Sequence, residues 1–216
     1  MRILILGSNS NLYCGWTTMT KGLKQGFNSN NINSFVLEGI NRSDRDFNFN
    51  NPLFLSYHIR SNFISFSLDF LRIFFFTFFY RPTHILIIPE LLSLPTFLVS
   101  KILRVKYSIY SAGTYSSIIL GKNCSFAKKA FNSSQNIFPM SEYTKNQIIN
   151  KTNNKRIFTV FAGYNNEEYF VRNLEKERFS IIYVGNLKKR KGFKIVCESI
   201  INLSLIHISE PTRPSV

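Results

Sequence analysis

ILILG, residues 3–7, is a continuous apolar run that stops at a glycine. It offers no polar side to water, so it reads as a strand covered on both faces, the condition of a parallel sheet. The same form returns along the chain. NSFVLEG (33–39), HILIIPE (84–90), VKYSIYSAG (105–113), NIFPMS (136–141) and RIFTVFAG (156–163) read as further strands. Helical stretches lie between them at 15–27, 62–80, 91–103, 123–134 and 142–151. Pro95 fits the first turn of its helix, where a missing N–H is harmless, and Ser141 is placed to cap the helix that follows it. Residues 40–60 are Asn-rich, contain Pro52 and read as loop. Strand and helix alternate throughout, so the expected fold is α/β, a doubly wound parallel sheet.

In such sheets ligands bind beyond the carboxyl ends of the strands. Gly7, Glu90, Gly113, Ser141 and Gly163 fall at those ends. Glu90, Gly113, Thr114, Ser141 and Glu142 form the candidate cleft-lining set. Glu90 reads either as a cleft residue or, preferentially, as an exposed strand-end carboxylate. Glu142 either reaches the cleft or only favours the N-terminus of its helix.

Residues 164–178 are polar and charged and read as a linker, which makes 1–163 one domain. After it the order restarts. FSIIYVGNL (179–187) begins a strand, a basic loop follows, and a helix is expected over 192–203. The loop, within YVGNLKKRKGF (183–193), carries Lys188, Lys189, Arg190, Lys191 and Gly192. A strand end, a glycine and a helix N-terminus make a ready anion site, with Lys191 as a point charge for a diphosphate. The prolines of the tail, and the likeness of SLIHISEPTR (204–213) to sequencing-adapter read-through, mark 204–216 as non-native or disordered.

The chain has 216 residues, of which 44% are hydrophobic, enough for a substantial core. Cys14, Cys124 and Cys197 are too few and too scattered for a disulfide framework or a metal site, which indicates a reducing compartment. The net charge of +15 is spread along the chain. Its richness in Asn, Lys, Ile, Phe and Tyr accounts for that charge, so no nucleic-acid partner is expected; an anionic lipid or a sugar nucleotide suits it at least as well. Met1-Arg2 leads into an apolar run too short for an export signal. NFISFSLDFLRIFFFTFFY (62–80) approaches the length of a membrane span, but Asp69 and Arg72 sit in its middle. It reads first as a buried helix and second as a helix lying in a membrane interface.

YVGNLKKRKGF resembles the "VGRL…KG" motif that opens the C-terminal domain of GT-B glycosyltransferases, especially the family 4 (group 1) enzymes. Other stretches agree in order. MRILILGSN resembles the family's first strand, RPTHILIIPELLSLP its "kPDvihah" strand and YSAGTYSS its "HGTY" segment. FPMSEYTKNQI resembles "vSeyTkeql", and FTVFAGYNNEEYF resembles "viyNGvD…F", the hinge into the second domain. The resemblance covers roughly residues 1–200. It implies a Rossmann-like N-terminal, acceptor-side domain and the opening strand–loop–helix of a donor-binding domain.

The activity implied is retaining transfer of a sugar from a nucleotide-sugar donor to a glycan or lipid-linked acceptor, in the assembly of cell-envelope polysaccharide or lipopolysaccharide. No cofactor beyond the donor and no bound metal is implied. The implied location is cytoplasmic, with peripheral contact to an anionic membrane. The donor-phosphate set carried over is Gly15, beside Cys14, with Lys191, Asn186 and Arg190. Two positions depart from the family pattern: Asn186 stands for the expected Arg, and Ala112 for a frequent His. The family's later Glu-rich donor motif has no counterpart in these residues, so the chain is expected to be inactive alone. The alternative is a non-catalytic Rossmann-like binding or scaffold module.

Overall fold

The computed structural model describes residues 1–8, 15–41, 55–57, 63–113, 116, 120, 125–163, 181–185 and 191–209. The chain divides into two compact units, 1–164 and 165–216.

The first unit is built on β1 (Arg2–Ser8), α1 (Gly15–Ser29), β2 (Asn33–Asn41), β3 (Leu55–Tyr57), α2 (Phe63–Tyr80) and β4 (His84–Ile87). A 3-10 turn (Glu90–Leu92) leads into α3 (Ser93–Leu103), then β5 (Lys106–Ser111), α4 (Ser125–Ser133), β6 (Asn136–Pro139) and α5 (Glu142–Ile149). All pairings are parallel, in the order β3-β2-β1-β4-β5-β6. This is the doubly wound α/β fold expected from the alternation of strands and helices.

The period of two in ILIL sorts the core. Ile3 and Ile5 face one way with Leu86 and Ile88, under Trp16, Met19, Leu23 and Phe27 of α1. Leu4 and Leu6 face the other way with Ile85, Ile87 and Ile109, under Ile73, Phe70 and Phe74 of α2 and Val99 of α3. β1 and β4 are covered on both sides, which is why their sequences show no polar face. Pro95 lies in the first turn of α3, where its lack of an N–H leaves no bond unmade.

Gly7 sets the spacing between α1 and the sheet. A Cβ there would lie 2.4 Å from Thr20 Cγ2 and 3.1 Å from Val36 Cγ1. Thr20 is itself tied by a hydroxyl bond of 2.7 Å to the Trp16 carbonyl, so it has little room to move.

Three expectations change. Strand β3 lies inside the 40–60 stretch read as loop; Leu55–Tyr57 pairs with the end of β2. The strand expected at 156–163 is reduced to an extended segment with one bridge, Ile137 to Ile157. It hangs on β6 by the bonds Phe158 N to Ile137 O (3.0 Å) and Val160 N to Pro139 O (2.9 Å). Only Ile157 of this segment is buried, while Phe158 and Phe161 are exposed, so no second face holds it as a full strand.

In the second unit, residues 181–185 form no strand. A strand needs a neighbour for its N–H and C=O groups, and Ile182 and Val184 stand 84% and 90% exposed. The helix there, α6 (Phe193–Ser209), runs past the expected end at 203, so residues 204–209, read as tail, are helical.

Gly7→Ala is expected to lower unfolding stability by roughly 1–3 kcal/mol, the cost of overpacking. Gly22→Ala and Gly26→Ala, on α1 with open space around them, are expected to raise it by about 0.5–1 kcal/mol. Urea denaturation of the three variants checks the pair of signs.

Candidate functional site

The site lies at the carboxyl edge of β4, β5 and β6. Beyond β4, Ile88 N still donates to the Leu6 carbonyl at 3.0 Å. Pro89 then ends the ladder because it has no N–H, and the chain turns through Glu90–Leu92 straight into α3. This reversal carries Glu90 inward. Its side chain is fully buried, at 0% exposure, which corrects its reading as an exposed strand-end carboxylate.

Donors from the end of β5 converge on one oxygen of that carboxylate. Ser116 Oγ donates to Oε1 at 2.8 Å, Ser111 Oγ at 3.0 Å and the Gly113 amide at 3.4 Å. The two serine hydroxyls also bond each other. Oε2 is buried and has no partner among the described residues. The balance is therefore lopsided. Burial raises the carboxyl pKa, while the bonds from Ser116, Ser111 and the Gly113 and Ala112 backbone oppose it, and the net direction is upward.

Gly113 has two reasons to be glycine. Its φ of +113° is one that side chains rarely adopt, and a Cβ would lie 3.0 Å from Thr144 Oγ1. Thr144 belongs to the first turn of α5. Ser141 caps that helix, accepting from Thr144 N at 3.2 Å, and its hydroxyl lies 3.0 Å from Thr144 Oγ1. Glu90, Gly113, Thr144 and Ser141 thus form one connected wall, and the N–H groups of the α5 first turn open beside it.

Glu142 is turned elsewhere. The Thr159 hydroxyl donates to it and Lys145 Nζ lies 3.3 Å away. Thr159 first, then Lys145, hold its carboxyl below the usual range against some desolvation. It pins the 156–160 segment to the start of α5.

Gly15 is the first residue of α1, and a Cβ there would meet nothing within 4 Å. Packing does not demand this glycine. In the second unit, Gly192 has φ +72° and its carbonyl accepts from Val196 N at 3.0 Å, opening α6. Lys191 beside it is exposed. Its carbonyl faces the Tyr183 hydroxyl at 3.4 Å, and the Tyr183 ring meets Phe193 edge-on at 5.1 Å. Cys14, Thr114, Asn186 and Arg190 lie outside the described residues, as do Lys188 and Lys189.

Ser111, Ser116 and Thr144 are site residues that the sequence reading passed over. The signal for Ser111 was present: a serine in the buried run YSIYS (107–111) needs a partner. No group of metal-ligating side chains lies together among the described residues.

No protein-family model matches the chain, and no curated protein matches it in sequence. Solved structures do match in fold. The lipopolysaccharide outer core galactosyltransferase WaaB, in its apo form, superposes with a TM-score of 0.54 at 15% identity, over 82% of this chain and 50% of that one. The UDP-GlcNAc 2-epimerase of Methanocaldococcus jannaschii gives 0.52 at 15% identity, over 74% and 45%. MnaA of S. aureus, solved with UDP, gives 0.51 at 10% identity, over 73% and 43%. The fold is the Rossmann-like half of a GT-B protein. The chain spans about half the length of the structures it matches.

The raised pKa of Glu90 has a consequence for stability. A carboxyl whose pKa rises on folding gives its full contribution below the unfolded value, about 4.3. That contribution is lost as pH climbs through the folded value. Glu90→Gln keeps an acceptor for the serines and cannot ionise. Relative to the parent, its melting temperature is expected to improve steadily from about pH 4 to pH 7; a gap between the two proteins that ignores pH would contradict the burial cost assigned to Glu90.

Proposed function

We propose that the chain is the acceptor-side domain, with the opening of the donor-binding domain, of a retaining glycosyltransferase like those of family 4. It would move a sugar from a nucleotide-sugar donor to a glycan or lipid-linked acceptor in cell-envelope polysaccharide or lipopolysaccharide assembly, at the cytoplasmic face of the membrane. The observation that carries this reading is the turn at Lys191-Gly192. A left-handed glycine opens α6, the helix N-terminus offers unpaired N–H groups, and an exposed lysine stands beside them. That combination suits a diphosphate leaving group, whose developing charge it would stabilise.

In this reading Lys191 touches the donor diphosphate, assisted by Asn186 and Arg190. Glu90 is a positioning residue. It holds the turn at Gly113 through Ser111 and Ser116, and acceptor hydroxyls bind along the wall formed by Gly113, Ser141 and the start of α5.

A second reading, UDP-sugar epimerisation, is favoured by the several UDP-GlcNAc 2-epimerases among the structural neighbours.

A protein that contains this chain together with a complete donor-binding domain, incubated with UDP-sugars and lipid-linked acceptors, separates the readings. UDP release that requires acceptor supports transfer. Interconversion of the UDP-sugar without acceptor supports the epimerase, and the absence of both reactions supports a binding module. Lys191→Ala is expected to raise the donor KM by about tenfold to a hundredfold, the worth of a hydrogen bond to a charged group, with melting unchanged because the side chain is exposed.

A further inference from the structure

The opposite, amino-terminal edge of the sheet carries charge of one sign. The starts of β1 and β5, the turn after α2, the ends of α3 and α4 and the start of the 156–160 segment meet there. They bring Arg2, Arg81, Lys101, Arg104, Lys106 and Arg156 to that edge. The described carboxylates of residues 1–164 lie elsewhere. Glu38 is in the carboxyl half of β2, Asp69 is buried in the first half of α2, Glu90 is buried beyond β4, and Glu142 starts α5. None of the six cations forms a salt bridge among the described residues.

A cavity of about 580 Å³ opens among them, lined by Ser100, Lys101, Arg104, Lys106, Gln135 and Arg156. The ends of α3 and α4 point their carbonyls this way, each equivalent to about half a negative charge. Cations of the cavity wall outnumber that, so a positive excess remains for a ligand. Ser100 Oγ bonds the Val105 carbonyl at 2.7 Å, which fixes the turn that carries Arg104 in a left-handed conformation, φ +53°.

An apolar stripe runs along α2 and ends at this edge. Leu68, Leu71, Phe75, Phe78 and Phe79 recur at helical spacing on the outer side of α2, and Phe79 is 76% exposed. Phe78 stacks on Phe74 and meets Phe79 edge-on at 5.5 Å. Ile102, at the end of α3, is exposed as well. The inner side of the same helix joins the core through Phe70, Ile73, Phe74 and Phe76, so α2 is both a buried and a surface helix. No helix among the described residues is long and apolar enough to cross a membrane.

We propose that this edge docks the protein on an anionic lipid surface, with a headgroup phosphate in the cationic cavity and the α2 stripe lying in the interface. A second copy of the chain is a poor occupant, because it would press like charges together. A nucleic acid would use the cations but not Leu68, Leu71 and Ile102. The proposal deepens the membrane location given above, yet it uses residues remote from the carboxyl edge, and its test reads no catalysis. The two can therefore fail separately.

The test is flotation of the full chain with phosphatidylcholine vesicles, with and without phosphatidylglycerol, at low and high salt. Flotation is expected only with phosphatidylglycerol. One cation near such a surface is worth about fivefold, so the pair Arg104→Asn, Arg156→Gln is expected to lower partitioning roughly 30-fold. Asn tolerates the left-handed φ at 104; should that variant not fold by circular dichroism, the pair Lys106→Gln, Arg156→Gln replaces it. Lys21→Ala with Lys24→Ala removes the same charge from α1 and is expected to leave flotation near the parent level. Phe78→Ser with Phe79→Ser is expected to lose the binding that survives salt. Absence of flotation, equal loss in both charge pairs, or binding of duplex DNA in its place with the same residue dependence would each overturn the proposal.

Discussion

A parallel sheet exposes two faces to be covered, and no polar side remains to meet water. In this protein the sequence ILIL meets that demand twice, with Ile3 and Ile5 under α1 and Leu4 and Leu6 under α2 and α3. Everything else follows from holding helices close on both faces. Gly7 is needed because Thr20 comes within 2.4 Å of where its Cβ would be. Pro89 ends β4 where α3 must turn back. The helix ends then fall at one edge and the helix starts at the other, so the two edges acquire opposite electrostatic characters.

That division places chemistry. The carboxyl edge gathers helix N-termini, hydroxyls and a carboxylate. Glu90 would be costly there if left alone, and the hydroxyls of Ser111 and Ser116 with the Gly113 amide offset the cost on one oxygen only. The result is a rigid turn against the first turn of α5, supported from below by a group that does not itself reach solvent. A wall of this kind orients a ligand without exposing the supporting charge. The amino edge is the reverse case. Cations gather where helix C-termini point, in greater number than the helix dipoles require.

Much of this could be read from the chain, and the reasons for success and failure are particular. Buried strands announced themselves because a doubly covered strand has no polar period, and Ser141 announced its cap because a hydroxyl before Glu-Tyr-Thr has an N–H to accept from. The 55–57 strand was hidden, since three residues carry no period to detect. The 156–163 and 181–184 stretches look like strands because they are apolar, but periodicity does not supply a neighbour, and the exposed Phe161, Ile182 and Val184 show what happens without one. Glu90 was assigned to the right edge and the wrong environment. A carboxylate at a strand end is usually solvated; only the positions of Ser111, the last residue of β5, and of Ser116 reveal that this one is enclosed. The cationic edge was invisible because its members are scattered through the sequence and come together only through topology.

For the first unit, the proposal is that a ligand is held at the carboxyl edge around Glu90. The most direct measurement is a carbon NMR titration of the Glu90 side-chain carboxyl, in a protein that contains this chain with a complete donor-binding domain, alone and with UDP-GlcNAc and a lipid-linked sugar. The account expects this carboxyl to titrate above ordinary glutamates and to move when the sugars fill the wall at Gly113. A carboxyl that titrates like a solvated glutamate, and that no sugar ligand perturbs, would contradict it.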